Sequence, residues 1–173
     1  MEACEQAPGL NMLGHGRAVH EKYRAIVSAL DAGSLDCPEL ARVYDRYRAG
    51  VGSATQWQLY HTYHDCGKHL CLTVSSDGKR QFPDHAAASA EQFGLLFPDE
   101  HHTRELIALD MGFHVLRGPE LLALCRHPLA PILYLTAWAE IQANAVMFGG
   151  LDSESYKIKR SRLIQAGKKL LHL

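Results

Sequence analysis

The longest apolar stretch of the chain, Ala130 to Phe148, limits what it can fold into. Glu140, Gln142 and Asn144 interrupt it, so it falls short of the roughly 20 predominantly apolar residues that a membrane span needs. A helix that is apolar on nearly every side must instead be buried by other elements. With 173 residues, 47% of them hydrophobic, the chain can build one well-buried core and is short for two. The expected fold is all-α, a single domain over residues 1–173.

The surrounding helices are legible from spacing and punctuation. Val19, Tyr23, Ile26, Val27 and Leu30 recur at helical intervals and predict a helix from about Gly16 to Ala32, after an extended or frayed lead-in over residues 1–13. Asp36, Cys37 and Pro38 open a second, to about Arg48. Val51 and Gly52 break the chain, and Ser53 with Gln56 makes a capping-box start for a third. Cys71 to Val74 and Lys79 to Phe82 flank an Asp77-Gly78 turn, which predicts one small β-hairpin and no other sheet. Helices are then expected from Pro83, from Asp99 to Leu116, from Glu120 to Arg126, through the apolar stretch, and from Asp152 to Leu171 after Gly149 and Gly150.

A formal charge of −1 gives no global attraction to a polyanion or a membrane surface. Five scattered cysteines without a CxxC pair argue for reduced thiols, and the acidic N-terminus carries no secretory signal, so a cytoplasmic setting is expected. The composition has one oddity, eleven histidines. Histidine is the commonest metal ligand and a frequent acid-base group.

His64 and Asp65 place a nitrogen ligand beside an anionic oxygen ligand, with Gly67 and Lys68 directly after. Adjacent side chains point about 100° apart on a helix, so the two reach one ion most easily at a helix end. Further candidates are His15 or His20, then His85, then His101, His102, Asp110 and His114, mostly on different predicted helices. Helical bundles build metal sites from inward-facing side chains in this way.

An early His, a central His-Asp followed by Gly-Lys and a downstream Asp resemble the HD-domain superfamily of metal-dependent phosphohydrolases. The resemblance implies a helical bundle in which His64, Asp65, Asp110 and either His15 or His20 bind a divalent metal. Asp110 fits the distal position because Leu106, Ile107, Leu109 and Met111 surround it, where an unpaired carboxylate is costly to bury. His85 falls where two-metal members carry a further ligand, so one or two ions are implied. The mixed N/O set suits Mn, Fe, Co, Ni or Zn. Lys68 would neutralise charge at a phosphate, and His85 or His114 would pass a proton to the leaving group.

The last third holds a second cluster. Asn144 is polar within an apolar helix, and Ser155, Lys157 and Lys159 follow the Gly149-Gly150 turn, a combination suited to phosphate oxygens. The expected function is therefore hydrolysis of a phosphoester of a nucleotide or a nucleic-acid end, such as a 3′-phosphate or 2′,3′-cyclic phosphate. Alternatives are a nucleoside mono- or triphosphate hydrolase, a non-catalytic HD-like nucleotide-binding module, and an iron oxygenase on the same ligand scaffold. The oligomeric state is not legible.

Overall fold

The computed structural model describes residues 1, 5–7, 9–48, 53–78 and 80–173. Val51 and Gly52, expected to break the chain, and Lys79 of the expected hairpin lie outside the described residues. The fold is mainly helical, with two minimal two-stranded ladders among the described residues. In chain order the elements are β1 (Glu5–Ala7), β2 (Leu10–Asn11), α1 (Met12–Asp31), α2 (Pro38–Tyr47) and α3 (Ala54–Tyr63). Then come β3 (Thr73–Val74), β4 (Arg80–Gln81), α4 (His85–Leu96), α5 (His101–Leu109), α6 (Gly112–Val115), α7 (Gly118–Cys125), α8 (Ala130–Ala143) and α9 (Glu154–Leu171). Among the described residues no helix is long and apolar enough to cross a membrane. The chain divides into two compact units, Met1–Ala18 with Ala54–Asp110, and Val19–Ser53 with Met111–Leu173.

The first unit begins where an extended or frayed lead-in was expected. Its chain is extended there, and β1 and β2 pair antiparallel, with Gly9 at a positive φ of 77° between them, so the hairpin β3–β4 is not the only sheet. Asn11 then caps α1, its Oδ1 accepting the Gly14 N–H at 2.7 Å. That cap lets the helix start at Met12, four residues earlier than the apolar stripe alone implies. The centre of the unit is α4 packed on α5, with α3 also on α5. Trp57, Tyr60, Phe93, Leu106 and Ile107 are buried there. Tyr63 meets Phe93 and Phe97 edge-on at 6.0 and 5.1 Å, a favoured aromatic geometry.

The second unit is organised around α8, whose residues from Ala130 to Ile141 are all buried. α2, α6, α7 and α9 pack on it. Burial of side chains such as Ile132, Leu133 and Leu135 stabilises by roughly 1.5–3 kcal/mol each. Tyr134 donates to the Leu163 carbonyl at 3.0 Å, and Gly167 permits this because a Cβ there would strike the Tyr134 hydroxyl.

Sequence spacing predicted one helix from Asp99 to Leu116. The structure has two, α5 and α6, separated at Asp110 and Met111. The Asp110 N–H turns back to the Ile107 carbonyl at 3.3 Å, tightening the last turn of α5, and α6 restarts at Gly112 against Leu124. Asp110 therefore sits at a helix end.

Candidate metal centre

α3 stops at Tyr63, and the following residues wind into successive tight turns. His64 N–H bonds the Tyr60 carbonyl at 2.8 Å, Cys66 N–H the Tyr63 carbonyl at 2.9 Å, and Lys68 N–H the Asp65 carbonyl at 3.1 Å. This winding brings the His64, Asp65 and Lys68 side chains to one side. Gly67 docks the turn on α4: its N–H donates to Ser89 Oγ at 3.0 Å, and a Cβ would lie 2.6 Å from the Ala88 carbonyl oxygen. Only glycine fits that approach. Gly16 does the same for α1, where a Cβ would be 2.6 Å from the carbonyl oxygens of His61 and Thr62. The two glycines thus press α1 and α4 against the His64–Asp65 turn.

The result is a carboxylate ringed by nitrogens. Asp65 Oδ2 lies 3.3 Å from His64 Nε2, 3.5 Å from His15 Nε2 and 2.6 Å from Lys68 Nζ, and Asp65 Oδ1 lies 3.6 Å from His85 Nε2. His15, His64 and Asp65 are almost fully buried, and one ligand atom from each lies within 4.8 Å of the others. Asp110 is also buried, with a carboxylate oxygen within 4.8 Å of a His64 ring nitrogen. The Tyr60 hydroxyl donates to Asp110 Oδ1 in a short hydrogen bond.

Two rings are aimed by backbone carbonyls. His64 Nδ1 donates to the His61 carbonyl at 2.7 Å, and His85 Nδ1 to the Phe82 carbonyl at 2.9 Å. Each therefore turns Nε2 toward Asp65, the arrangement that orients histidine on a metal. What lies between those nitrogens and the carboxylate has to be positive, either a proton on each ring or one shared cation. His15 can face the carboxylate uncharged with its proton on Nε2, so either protons on His64 and His85 or one divalent ion among neutral rings supplies that charge, to the same net balance with Lys68, Asp65 and Asp110. Asp65 Oδ1, buried and without a hydrogen bond among the described residues, adds a further open ligand position. These buried His and Asp groups could hold a metal ion.

Burial works to raise the Asp65 carboxyl, but when their rings are protonated, His64 and His15, together with Lys68, outweigh it and hold the group well below the usual carboxylate range. The site thus holds an ionised oxygen ligand. Burial and the Asp65 charge push the neighbouring Cys66 thiol up to about 11, and it donates to the Ser89 carbonyl at 3.3 Å. The cysteines Cys37, Cys66, Cys71 and Cys125 form no disulfide.

Of the two candidates on α1, the structure brings His15 to Asp65. His20 is five residues on, about 140° around the helix, where it stacks on Tyr23 at 6.5 Å. His101 and His102 are exposed on α5, and His61 is buried against the Trp57 and Tyr60 rings. His114 belongs to the second unit and donates to Glu140 at 2.6 Å. In that unit, too, Asn144 ends α8 and Ser155 is exposed in the first turn of α9. The cap is Ser153, whose hydroxyl accepts the Tyr156 N–H. Lys157 pairs with Glu154 at 3.0 Å, and Lys159 lies over the Phe148 ring at 4.7 Å. Both cations, expected to hold phosphate, have local partners.

Two residues at the site escaped the sequence reading. Tyr60 holds Asp110, and its position four residues before His64, on the same helical face, was the available signal. Phe82 supplies the carbonyl for His85 and a ring 5.5 Å beneath Lys68 Nζ, and no spacing rule marks it.

The chain matches no protein-family model, no curated protein and no solved structure.

Proposed function

We propose that this chain is a metal-dependent phosphohydrolase of the HD type, acting on a phosphoester of a nucleotide or of a nucleic-acid end. One observation carries the reading: His15, His64 and His85 turn Nε2 onto the Asp65 carboxylate beside the Lys68 ammonium. The likeness of His64, Asp65, Gly67, Lys68 and Asp110 to the HD pattern supports it further. His15, His64, Asp65 and Asp110 would hold a divalent ion, with His85 placed for a second. Such an ion makes bound water a strong nucleophile near neutral pH and polarises a phosphoryl oxygen.

The remaining work falls to this chain's own groups. Lys68, fixed between Asp65 and the Phe82 ring, would offer its charge to phosphoryl oxygens as they gather negative charge. Asp65 offers a second oxygen to orient a water molecule. With a single ion bound, His85, less deeply buried than His15 or His64, would instead be the ring that passes a proton to the leaving oxygen. Tyr60 keeps Asp110 turned inward.

The test is elemental analysis of the purified protein, then phosphate release from a panel of nucleotides and 3′-phosphorylated oligonucleotides. Bound transition metal and metal-dependent release are expected. Protein that binds no metal and releases no phosphate after reconstitution with Mn, Fe, Co, Ni or Zn would end the proposal.

A further inference from the structure

The second unit contains a cavity of about 210 Å³ between α7 and α9. Its charged lining consists of Arg117, Arg162 and Lys169, and no carboxylate contributes to it. Arg162, Ala166 and Lys169 fall at i, i+4 and i+7 on α9, which puts them on one stripe of that helix. Arg117 is fixed in place by its own chain, donating from Nη1 to the Leu116 carbonyl at 2.6 Å and from Nη2 to the His114 carbonyl at 3.0 Å. Among the described residues none of the three cations has a carboxylate within ion-pair distance. The chain as a whole has 19 acidic and 18 basic residues, so this local excess is not a reflection of composition. Three like charges around one cavity repel each other, and a bound anion relieves that repulsion.

The other walls narrow the choice of anion. Phe113 and Leu121, both largely buried, form the apolar floor of the cavity, which can meet the edge of a ring. Ser161 and Gln165 offer donors and acceptors at the edge. Gly118, the first residue of α7, also lines the cavity and brings the positive end of that helix to it. The volume is below the roughly 300–1,000 Å³ typical of whole small-molecule sites, so the cavity takes one phosphate with part of a ring and leaves the rest in solvent.

We infer that this cavity is a nucleotide site, in which Arg117, Arg162 and Lys169 hold a phosphate and Phe113 and Leu121 hold the adjoining ring. The inference concerns the second unit alone and does not depend on the metal chemistry proposed above. It moves the phosphate-binding part of α9 from Lys157 and Lys159, which have local partners, to its other cations.

The test is calorimetric titration of the full chain, in excess chelator, with AMP, adenosine, inorganic phosphate and a short single-stranded oligonucleotide. AMP or the oligonucleotide is expected to bind, and Arg162→Ala, Arg117→Ala and Lys169→Gln are each expected to weaken binding by about tenfold. Lys22→Ala, an exposed cation elsewhere in the same unit, is expected to change nothing. Thermal melting of each variant checks that the fold is kept. AMP binding without the strand assigns the site to free nucleotides, and strand binding lost in the same variants assigns it to nucleic acid. Three outcomes would overturn the inference: no binding of AMP or strand, binding indifferent to all three variants, or inorganic phosphate binding as tightly as AMP.

Discussion

Lys68 Nζ lies 2.6 Å from Asp65 Oδ2, and both side chains are almost wholly withdrawn from water. The two groups are three residues apart, and the turn between them is held by the Lys68 N–H on the Asp65 carbonyl. Removing one member of such a buried pair costs about 3–5 kcal/mol, because the other charge is left behind. Lys68→Met should therefore destabilise the chelated protein by about that much. If a cation also binds Asp65, added Mn²⁺ should recover much of the loss, which melting with and without chelator measures. An equal drop under both conditions would mean that no ion takes over from the lysine.

Asp65→Asn keeps the volume of the side chain and removes its charge. On the proposed function bound metal is expected to disappear, and phosphate release to fall at least about a hundredfold, since a metal-activated water would be lost with the ion. Metal analysis and activity on the best substrate of the panel decide it, and retention of both would remove the centre of the proposal.

Tyr60→Phe deletes only the hydroxyl that holds Asp110. Loss of an outer partner to a ligand typically costs 10–100-fold in metal affinity, so a weakening of about that size is expected with folding little changed. A metal titration followed by competition with a chelating dye reads this directly. Unchanged affinity would mean that Asp110 takes no part in holding the ion.

Gly67→Ala and Gly16→Ala should each destabilise the first unit by about 1–3 kcal/mol or more, although neither residue offers a ligand. The added methyl meets backbone atoms of α4 or of the His61–Thr62 segment, which cannot move aside cheaply. Gly78→Ala in the β3–β4 turn meets no atom within 4 Å and strains only its own positive φ, so it should cost less. Chemical denaturation of the three variants provides the comparison.

The second unit should weaken in alkali. Burial raises the phenols of Tyr134 and Tyr156, and burial with the Asp31 hydrogen bond raises that of Tyr44, all above their ordinary value. The groups facing Tyr134 (Cys37, Glu39 and Cys125) push in the same direction, while the neighbouring Trp138 indole opposes them. The folded chain keeps protons that the unfolded chain gives up, so this contribution is full below about pH 10 and declines above it. Denaturation midpoints across that range should fall with rising pH, and Tyr134→Phe should flatten the fall. A midpoint that does not vary would contradict the assignment.

Much of the helical framework was legible because burial on one face leaves a periodic trace, as along Val19, Tyr23 and Ile26 or throughout the stretch that became α8. The pairing of His64 with Asp65 was legible from adjacency alone. What was hidden depended on approach between distant segments. His15 looked badly placed for a helix because Gly14 and Gly16 flank it, yet Asn11 caps that helix at Gly14 and Gly16 lets it lie on the His61 and Thr62 carbonyls. At the break after Asp110 the one local signal was Gly112, a poor helix former, and the close approach of Leu124 to that glycine is not written in the spacing. The positions of Lys157 and Lys159 were correctly read as basic helix, but a cation's partner is a matter of geometry that charge counts do not contain.

The first unit is stitched from Met1–Ala18 and Ala54–Asp110, with a long excursion into the other unit between them. His15 therefore leaves the ribosome well before the His64–Asp65 turn, and Asp110 emerges last. At about 5–20 residues per second, several seconds pass during synthesis in which the earliest imidazole has no companions. If the centre holds a cation as proposed, the set of ligands is complete during translation only once the end of α5 has emerged.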